Sequence, residues 1–174
     1  RHIDTGEPLP SELIDAITAS RQFGQGFATS EYLAAAIIDM AWHSLSSEEA
    51  AGVSDVRAFE EAALQDAGLV VEHLKPRYQS TYFNHIFGGG YSAGYYSYLW
   101  AEVLDADGFD WFTETGAAGP GASGEAARAA GQRFRDLVLS RGGASDYAAA
   151  FESLRGRAKD VAPLLRRRGL GGAL

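Results

Sequence analysis

No cysteine occurs anywhere in the chain, which excludes disulfides, thiolate metal sites and thiol nucleophiles. The absence suits a reducing compartment, and a cytoplasmic location is expected from it. Long apolar runs are missing too. The best candidate, Tyr32 to Ala41, is broken by Asp39 and falls short of the roughly 20 residues that cross a bilayer, so no membrane partner is expected. No basic start leads into an apolar stretch of the signal-peptide kind. The sequence opens at Arg1 without an initiator Met, as a processed product or a piece of a longer protein would.

Positive charge is in short supply over most of the length. The net charge of −8 argues against nucleic acid as a partner, because that backbone is bound by clustered Lys and Arg. Only residues 155–174 are basic. There Arg155, Arg157, Lys159, Arg166, Arg167 and Arg168 stand against Asp160 alone, a net +5 that leaves −13 for residues 1–154. An arginine-rich C-terminal helix, complementing its own dipole and an acidic body, accounts for this asymmetry.

What is present is an ordinary globular composition, 46% apolar and 22% charged over 174 residues, enough for one domain with a single core. Helical periodicity dominates, and no stretch alternates as a strand. The expected class is all-α, a single helical domain or subdomain over residues 1–174. Pro10, Ser11 and Glu12 start a helix with Leu13, Ile14 and Ile17 on an apolar face. A second helix is expected from about Thr29 to Leu45, then a loop over Ser46, Ser47 and Gly52. Ser54 caps a third helix bearing Val56, Phe59, Ala63 and Leu64 on one side. Residues 79–90 read as loop with at most a short helical turn, 91–104 as helix, 116–124 as a small-residue loop and 125–140 as helix. Short helices follow near 147–154 and 161–168.

Chemistry concentrates in residues 82–102, YFNHIFGGGYSAGYYSYLWAE. Gly88, Gly89 and Gly90 are consecutive and let the backbone approach a ligand closely. His85 lies just before them. Tyr91, Tyr95 and Tyr98 follow at i, i+4, i+7, which places three phenols on one side of the expected helix. Phenols in that pattern either pack as an aromatic stripe in a core or present donors and acceptors to a ligand. The glycine run favours the second, since its ordering entropy is not offset by packing alone. Such phenols and a nearby imidazole hydrogen-bond a peptide backbone, or donate to an oxyanion as it forms.

The string from His85 through Gly88-Gly89-Gly90, Tyr91, Tyr95, Tyr96 and Tyr98 to Trp100 and Glu102 closely resembles the substrate-binding loop and helix of the thimet oligopeptidase family of zinc metallopeptidases. Within that family it is most similar to bacterial peptidyl-dipeptidases (dipeptidyl carboxypeptidases). The stretches Gln25–Tyr32, Asp39–His43, Gly131–Arg135 and Leu164–Leu170 resemble the same family's C-terminal region. The resemblance implies a zinc-dependent hydrolysis in which a His-Glu-x-x-His helix and a further Glu hold the metal. The only histidines here are His2, His43, His73 and His85, and no two are spaced i, i+4. The expectation is therefore a C-terminal portion starting after the zinc-binding helices, with no metal ligand of its own and zinc bound by the absent N-terminal part.

By the same resemblance, His85 and Tyr98 are the catalytic donors to the carbonyl oxygen and its oxyanion. Tyr91 and Tyr95 contact the backbone or C-terminal end of an oligopeptide substrate, and Gly88, Gly89 and Gly90 form the loop that closes over it. The implied parent releases C-terminal dipeptides, and this piece is expected to be inactive alone and to self-associate through apolar surface that once faced the absent part. The alternatives are an oligopeptidase cleaving internal bonds and a non-catalytic helical peptide-binding module. Elsewhere, His43 is expected to pack or cap and His73 to bind no metal. Glu102 and Asp105 are expected to form salt bridges or lie solvated rather than act as an acid/base pair, and Trp100 to anchor its helix to the core.

Overall fold

The computed structural model describes residues 1–171, and every regular element among them is helical. The helices are α1 (Ser11–Ser20), α2 (Gln25–His43), α3 (Ser47–Gly52), α4 (Val56–Asp66), α5 (Asn84–Phe87), α6 (Ser97–Glu114), α7 (Gly124–Leu137), α8 (Tyr147–Arg155) and α9 (Ala162–Arg167). The all-α expectation is met. No described helix is long and apolar enough to cross a membrane. The chain divides into two compact units, Arg1–Tyr98 and Leu99–Leu174.

The first unit is organised by α2. Its Ala34, Ala35, Ala36 and Ile38 are buried, and α4 packs beside it through Leu64. Small alanines on that stripe let neighbouring elements come close, and the apolar face holds them together. A second cluster joins Ala35 and Ala36 to Phe83, Ile86 and Tyr95. Helix α2 begins at Gln25, earlier than the expected Thr29, and two further boundaries differ from expectation for local reasons. Residues 47–52 are helical rather than loop because Ser46 and Glu49 form a reciprocal capping box, each side chain bonded to the other's backbone N–H. Asp55, not Ser54, caps α4, accepting from the Arg57 and Ala58 N–H groups. The periodicity of α1 is correct, yet Leu13, Ile14 and Ile17 are half-exposed, and α1 buries no residue in the described chain.

In the second unit α6 is central. Val103 and Ala106 meet Leu164 of α9, while Trp111 packs with Ala130 of α7 and Leu154 of α8. Carboxylates along α6 meet the arginines of the C-terminal segment. Asp107, fully buried, accepts from Arg155, Arg157 and the Asp160 N–H. Arg155 also forks onto both oxygens of Glu114, at 2.6 and 3.0 Å. Arg166 pairs with Asp110, Arg167 with Asp105, and Arg168 with Glu102. Five arginines of the basic segment thus meet carboxylates of one acidic helix, and Glu102 and Asp105 are salt-bridged as expected. Trp100 is a correction. It is exposed, not a core anchor, and carries the Lys159 ammonium 4.9 Å from its ring centroid.

Candidate functional site

The site lies within the first unit and is assembled on α2. Three contacts set the course of the chain toward His85. The Arg77 N–H bonds the Glu31 carbonyl at 3.1 Å, the Trp42 indole N–H donates to the Ser80 hydroxyl at 2.7 Å, and the buried Glu60 carboxylate accepts from the Ser80 N–H. Phe83 and Ile86 then bury on either side of His85, which leaves the imidazole partly exposed on the short helix α5. Tyr78 packs against it with ring centroids 4.8 Å apart.

Helix α5 ends abruptly. The N–H groups of Gly88 and Gly89 both bond the Asn84 carbonyl at 2.8 Å, and the Tyr91 N–H returns to the His85 carbonyl at 3.0 Å. A Cβ on Gly89 would meet the His85 Cα at 2.9 Å and carbonyl oxygen at 3.0 Å, and Gly90 sits at φ +82°. Close backbone approach and left-handed geometry therefore explain two of the three glycines. At Gly88 the only close atom is the movable Asn84 side chain. Gly90→Ala is expected to cost about 1–2 kcal/mol from left-handed strain, Gly89→Ala more because backbone must shift, and Gly88→Ala least. Thermal unfolding of the three variants checks that order.

Residues 92–96 are the main departure from expectation. They form turns, and α6 begins only at Ser97, so the three tyrosines do not share one helix face. The cause is Asp39. Its fully buried carboxylate accepts from the Ala93 N–H at 2.9 Å and the Tyr95 N–H at 2.8 Å, which takes both amides out of a helical ladder. Ala93 lies at φ +53°, a conformation that costs a non-glycine residue roughly 1–2 kcal/mol. The hydrogen bond its amide makes to Asp39 offsets that strain. His43 Nδ1 lies 2.8 Å from Asp39 Oδ1 and 2.9 Å from the Asp39 carbonyl oxygen. Both are acceptors, so Nδ1 carries the proton, and the packed or capping role expected of His43 is what it has.

The turn nevertheless brings the tyrosines together. Tyr91 and Tyr98 stack with centroids 5.1 Å apart, and Tyr95 meets Tyr98 edge-on at 5.3 Å. His85 lies 5.9 Å from Tyr95 and 6.3 Å from Tyr91. The four side chains form one patch with two kinds of member. Tyr91 and Tyr98 are 36% and 39% exposed, whereas Tyr95 keeps 3% and is enclosed by Tyr32, Tyr78 and Phe83. Burial pushes the Tyr95 phenol up to about 12. Hydrogen bonding with Tyr91, and then desolvation, raise Tyr98 above its ordinary value. Both phenols are therefore protonated, and so able to donate, at neutral pH.

Chemically this is a surface of phenol donors beside one imidazole, backed by a dry aromatic layer. It suits a carbonyl oxygen or an oxyanion better than a cation. Asp39 and Tyr32, which shape it, were not among the expected site residues. The one signal for Asp39 was a carboxylate interrupting an otherwise apolar helical stretch. His73 sits at φ +66° with Glu72 in the exposed turn after α4. Among the described residues no three His, Asp or Glu side chains gather into a group that could hold a metal ion, so these residues do not make a zinc site and no step is assigned to a metal here.

Comparison with known proteins places the chain. The profile of Peptidase family M3 matches residues 1–170. Dipeptidyl carboxypeptidases of Salmonella typhimurium and Escherichia coli are each 42% identical over 170 residues, covering 98% of this chain and 24% of theirs. Oligopeptidase A of Escherichia coli is 34% identical over 172 residues, covering 98% of this chain and 24% of its own length. The chain thus spans about a quarter of the length of the curated relatives it matches. With the match running through all but the last few residues, the chain belongs to peptidase family M3.

Proposed function

We propose that this chain is the C-terminal portion of a zinc-dependent peptidyl-dipeptidase that releases dipeptides from the C-termini of oligopeptides. The observation that carries the reading is the patch itself, with His85, Tyr91 and Tyr98 gathered on an exposed surface by a buried Asp39 clamp. In this reading His85 and Tyr98 donate hydrogen bonds to the scissile carbonyl oxygen and hold it more tightly as it gains charge. Tyr91 contacts the substrate backbone or its C-terminal end. Tyr95 does so only at the rim it leaves uncovered, and otherwise backs His85 and Tyr98. Gly88, Gly89 and Gly90 shape the edge over which the peptide is held. A zinc ion held by residues outside this sequence would supply the activated water. The higher identity to the dipeptidyl carboxypeptidases than to oligopeptidase A supports dipeptide release over internal cleavage.

The isolated chain is expected to turn over no peptide, because donors without an activated nucleophile have no attack to assist. The half-exposed Leu13, Ile14 and Ile17 of α1 give it a surface for self-association. Assay of the chain and of the full-length protein on a quenched oligopeptide with added zinc, with product analysis, tests both parts. Stepwise dipeptide release by the full-length protein alone is the expected result. Chelator-sensitive turnover by the isolated chain would refute the division of labour, and internal cleavage would refute the dipeptidase assignment.

A further inference from the structure

Both backbone polar groups of Tyr95 are held by side chains of one helix. The Tyr95 N–H donates to Asp39 Oδ2 at 2.8 Å, and the Tyr32 hydroxyl donates to the Tyr95 carbonyl at 2.5 Å. Tyr32 and Asp39 are seven residues apart on α2, about two turns, and so share a face. The same Tyr95 carbonyl accepts the Tyr98 N–H at 3.4 Å. The Tyr32 ring stacks on the Tyr95 ring at 5.2 Å. The other Asp39 oxygen accepts from Ala93, fixing the left-handed residue of the turn. A helical course through residues 92–96 would have placed the phenols differently. The turn they adopt is dictated by these two side chains rather than by the local sequence.

We infer that Tyr32 and Asp39 are positioning residues of the M3 site, acting through the Tyr95 peptide to set where the Tyr98 phenol stands. This rests on the reading of Tyr98 as an oxyanion donor. Asp39 is fully buried, and the hydroxyl of the part-buried Tyr32 is engaged on the Tyr95 carbonyl. Losing the Tyr32 hydroxyl frees the carbonyl that anchors the Tyr98 amide, while the ring stack that Phe also supplies is kept. Asp39→Asn replaces one of the two accepting oxygens with an NH2 donor, so the Ala93 and Tyr95 amides no longer each have an oxygen of their own.

The test is steady-state kinetics and thermal unfolding of the full-length peptidase as wild type, Tyr32→Phe, Asp39→Asn, Tyr98→Phe and the Tyr32→Phe/Tyr98→Phe double variant. Tyr32→Phe is expected to lower kcat on the order of 10- to 100-fold, the scale of an ångström-size misplacement, with KM little changed. The double variant is expected to be no slower than Tyr98→Phe alone, because the positioning acts through Tyr98. A merely structural role would lower the unfolding temperature and leave kcat per folded molecule unchanged. That result, or losses that multiply in the double variant, would overturn the inference while leaving the role of Tyr98 intact. If Tyr98→Phe itself leaves kcat unchanged, the functional reading falls and the positioning role falls with it. Should Asp39→Asn fail to fold, Tyr32→Phe alone decides the matter.

Discussion

In the full-length peptidase, Tyr98→Phe is expected to lower kcat by about 100- to 1,000-fold with KM nearly unchanged, the loss that follows removal of one preorganised oxyanion donor. The substitution removes the hydroxyl and its hydrogen bond with Tyr91. The Phe ring keeps the stack on Tyr91 and the edge contact with Tyr95, and Tyr98 is already 39% exposed, so folding has little to lose. The KM-against-kcat split distinguishes this role from simple substrate binding, which would raise KM. The pH profile carries a second mark. Hydrogen bonding with Tyr91 raises the Tyr98 phenol above its ordinary value, so the donor form persists through neutral and mildly alkaline pH. Activity should therefore not fall through loss of this proton until pH exceeds the ordinary phenol value of 10.0. Steady-state rates of the variant beside the wild type, across pH, check both statements.

The largest stability effect is expected at Asp107. Arg155 is only 2% exposed at its side chain, and Asp107 is fully buried. Asp107→Ala leaves the Arg155 and Arg157 guanidinium groups and the Asp160 N–H without their shared acceptor. Removing one partner of a buried ion pair costs about 3–5 kcal/mol, chiefly through the stranded charge. The neighbouring pairs serve as controls. Arg166 with Asp110 and Arg167 with Asp105 are well exposed, and breaking either should cost roughly 0–1 kcal/mol. Urea unfolding of the variants reads the difference. Burial alone would raise the Asp107 carboxyl, but hydrogen bonds from Arg157 and the Asp160 N–H, with the charges of Arg155 and Arg157, hold it below its ordinary value of 3.8. A lowered folded value means that its stabilisation is present above 3.8 and is lost as pH falls through the depressed value. Acid unfolding of the wild type should show this loss, and Asp107→Ala should show less of it.

Helix type and helix ends were legible wherever one local pattern decided them. Pro10 before Ser11 marks α1, and the short helix expected near 147–154 is α8, Tyr147–Arg155. The members of the patch that His85, Tyr91, Tyr95 and Tyr98 form were legible as a set, from glycine and phenol spacing and from resemblance. Their arrangement was not. Spacing at i, i+4, i+7 predicts one helix face, but a carboxylate more than fifty residues earlier, at Asp39, captures two amides and turns the chain instead. Non-local hydrogen bonds of this kind leave no trace in the periodicity of the segment they reshape. Exposure was hidden for a similar reason. Tyr95 and Tyr98 look alike in sequence, and only the packing of Tyr32, Tyr78 and Phe83 buries one and spares the other. Trp100 shows the reverse error, since a large apolar side chain on a core helix can lie largely outside, here with the Lys159 ammonium over its ring.

The oxyanion role of Tyr98 is tested most directly by inhibition with a phosphinic peptide, whose tetrahedral centre imitates the addition intermediate while the rest imitates substrate. The inhibition constant should be measured for wild-type full-length peptidase and for Tyr98→Phe, beside kcat/KM on the matching oligopeptide. The inhibition constant is expected to rise by the same factor as kcat/KM falls, with KM for the oligopeptide nearly constant. Equal inhibition of the two proteins, with kcat/KM lowered, would contradict the placement of the Tyr98 hydroxyl on the developing oxyanion.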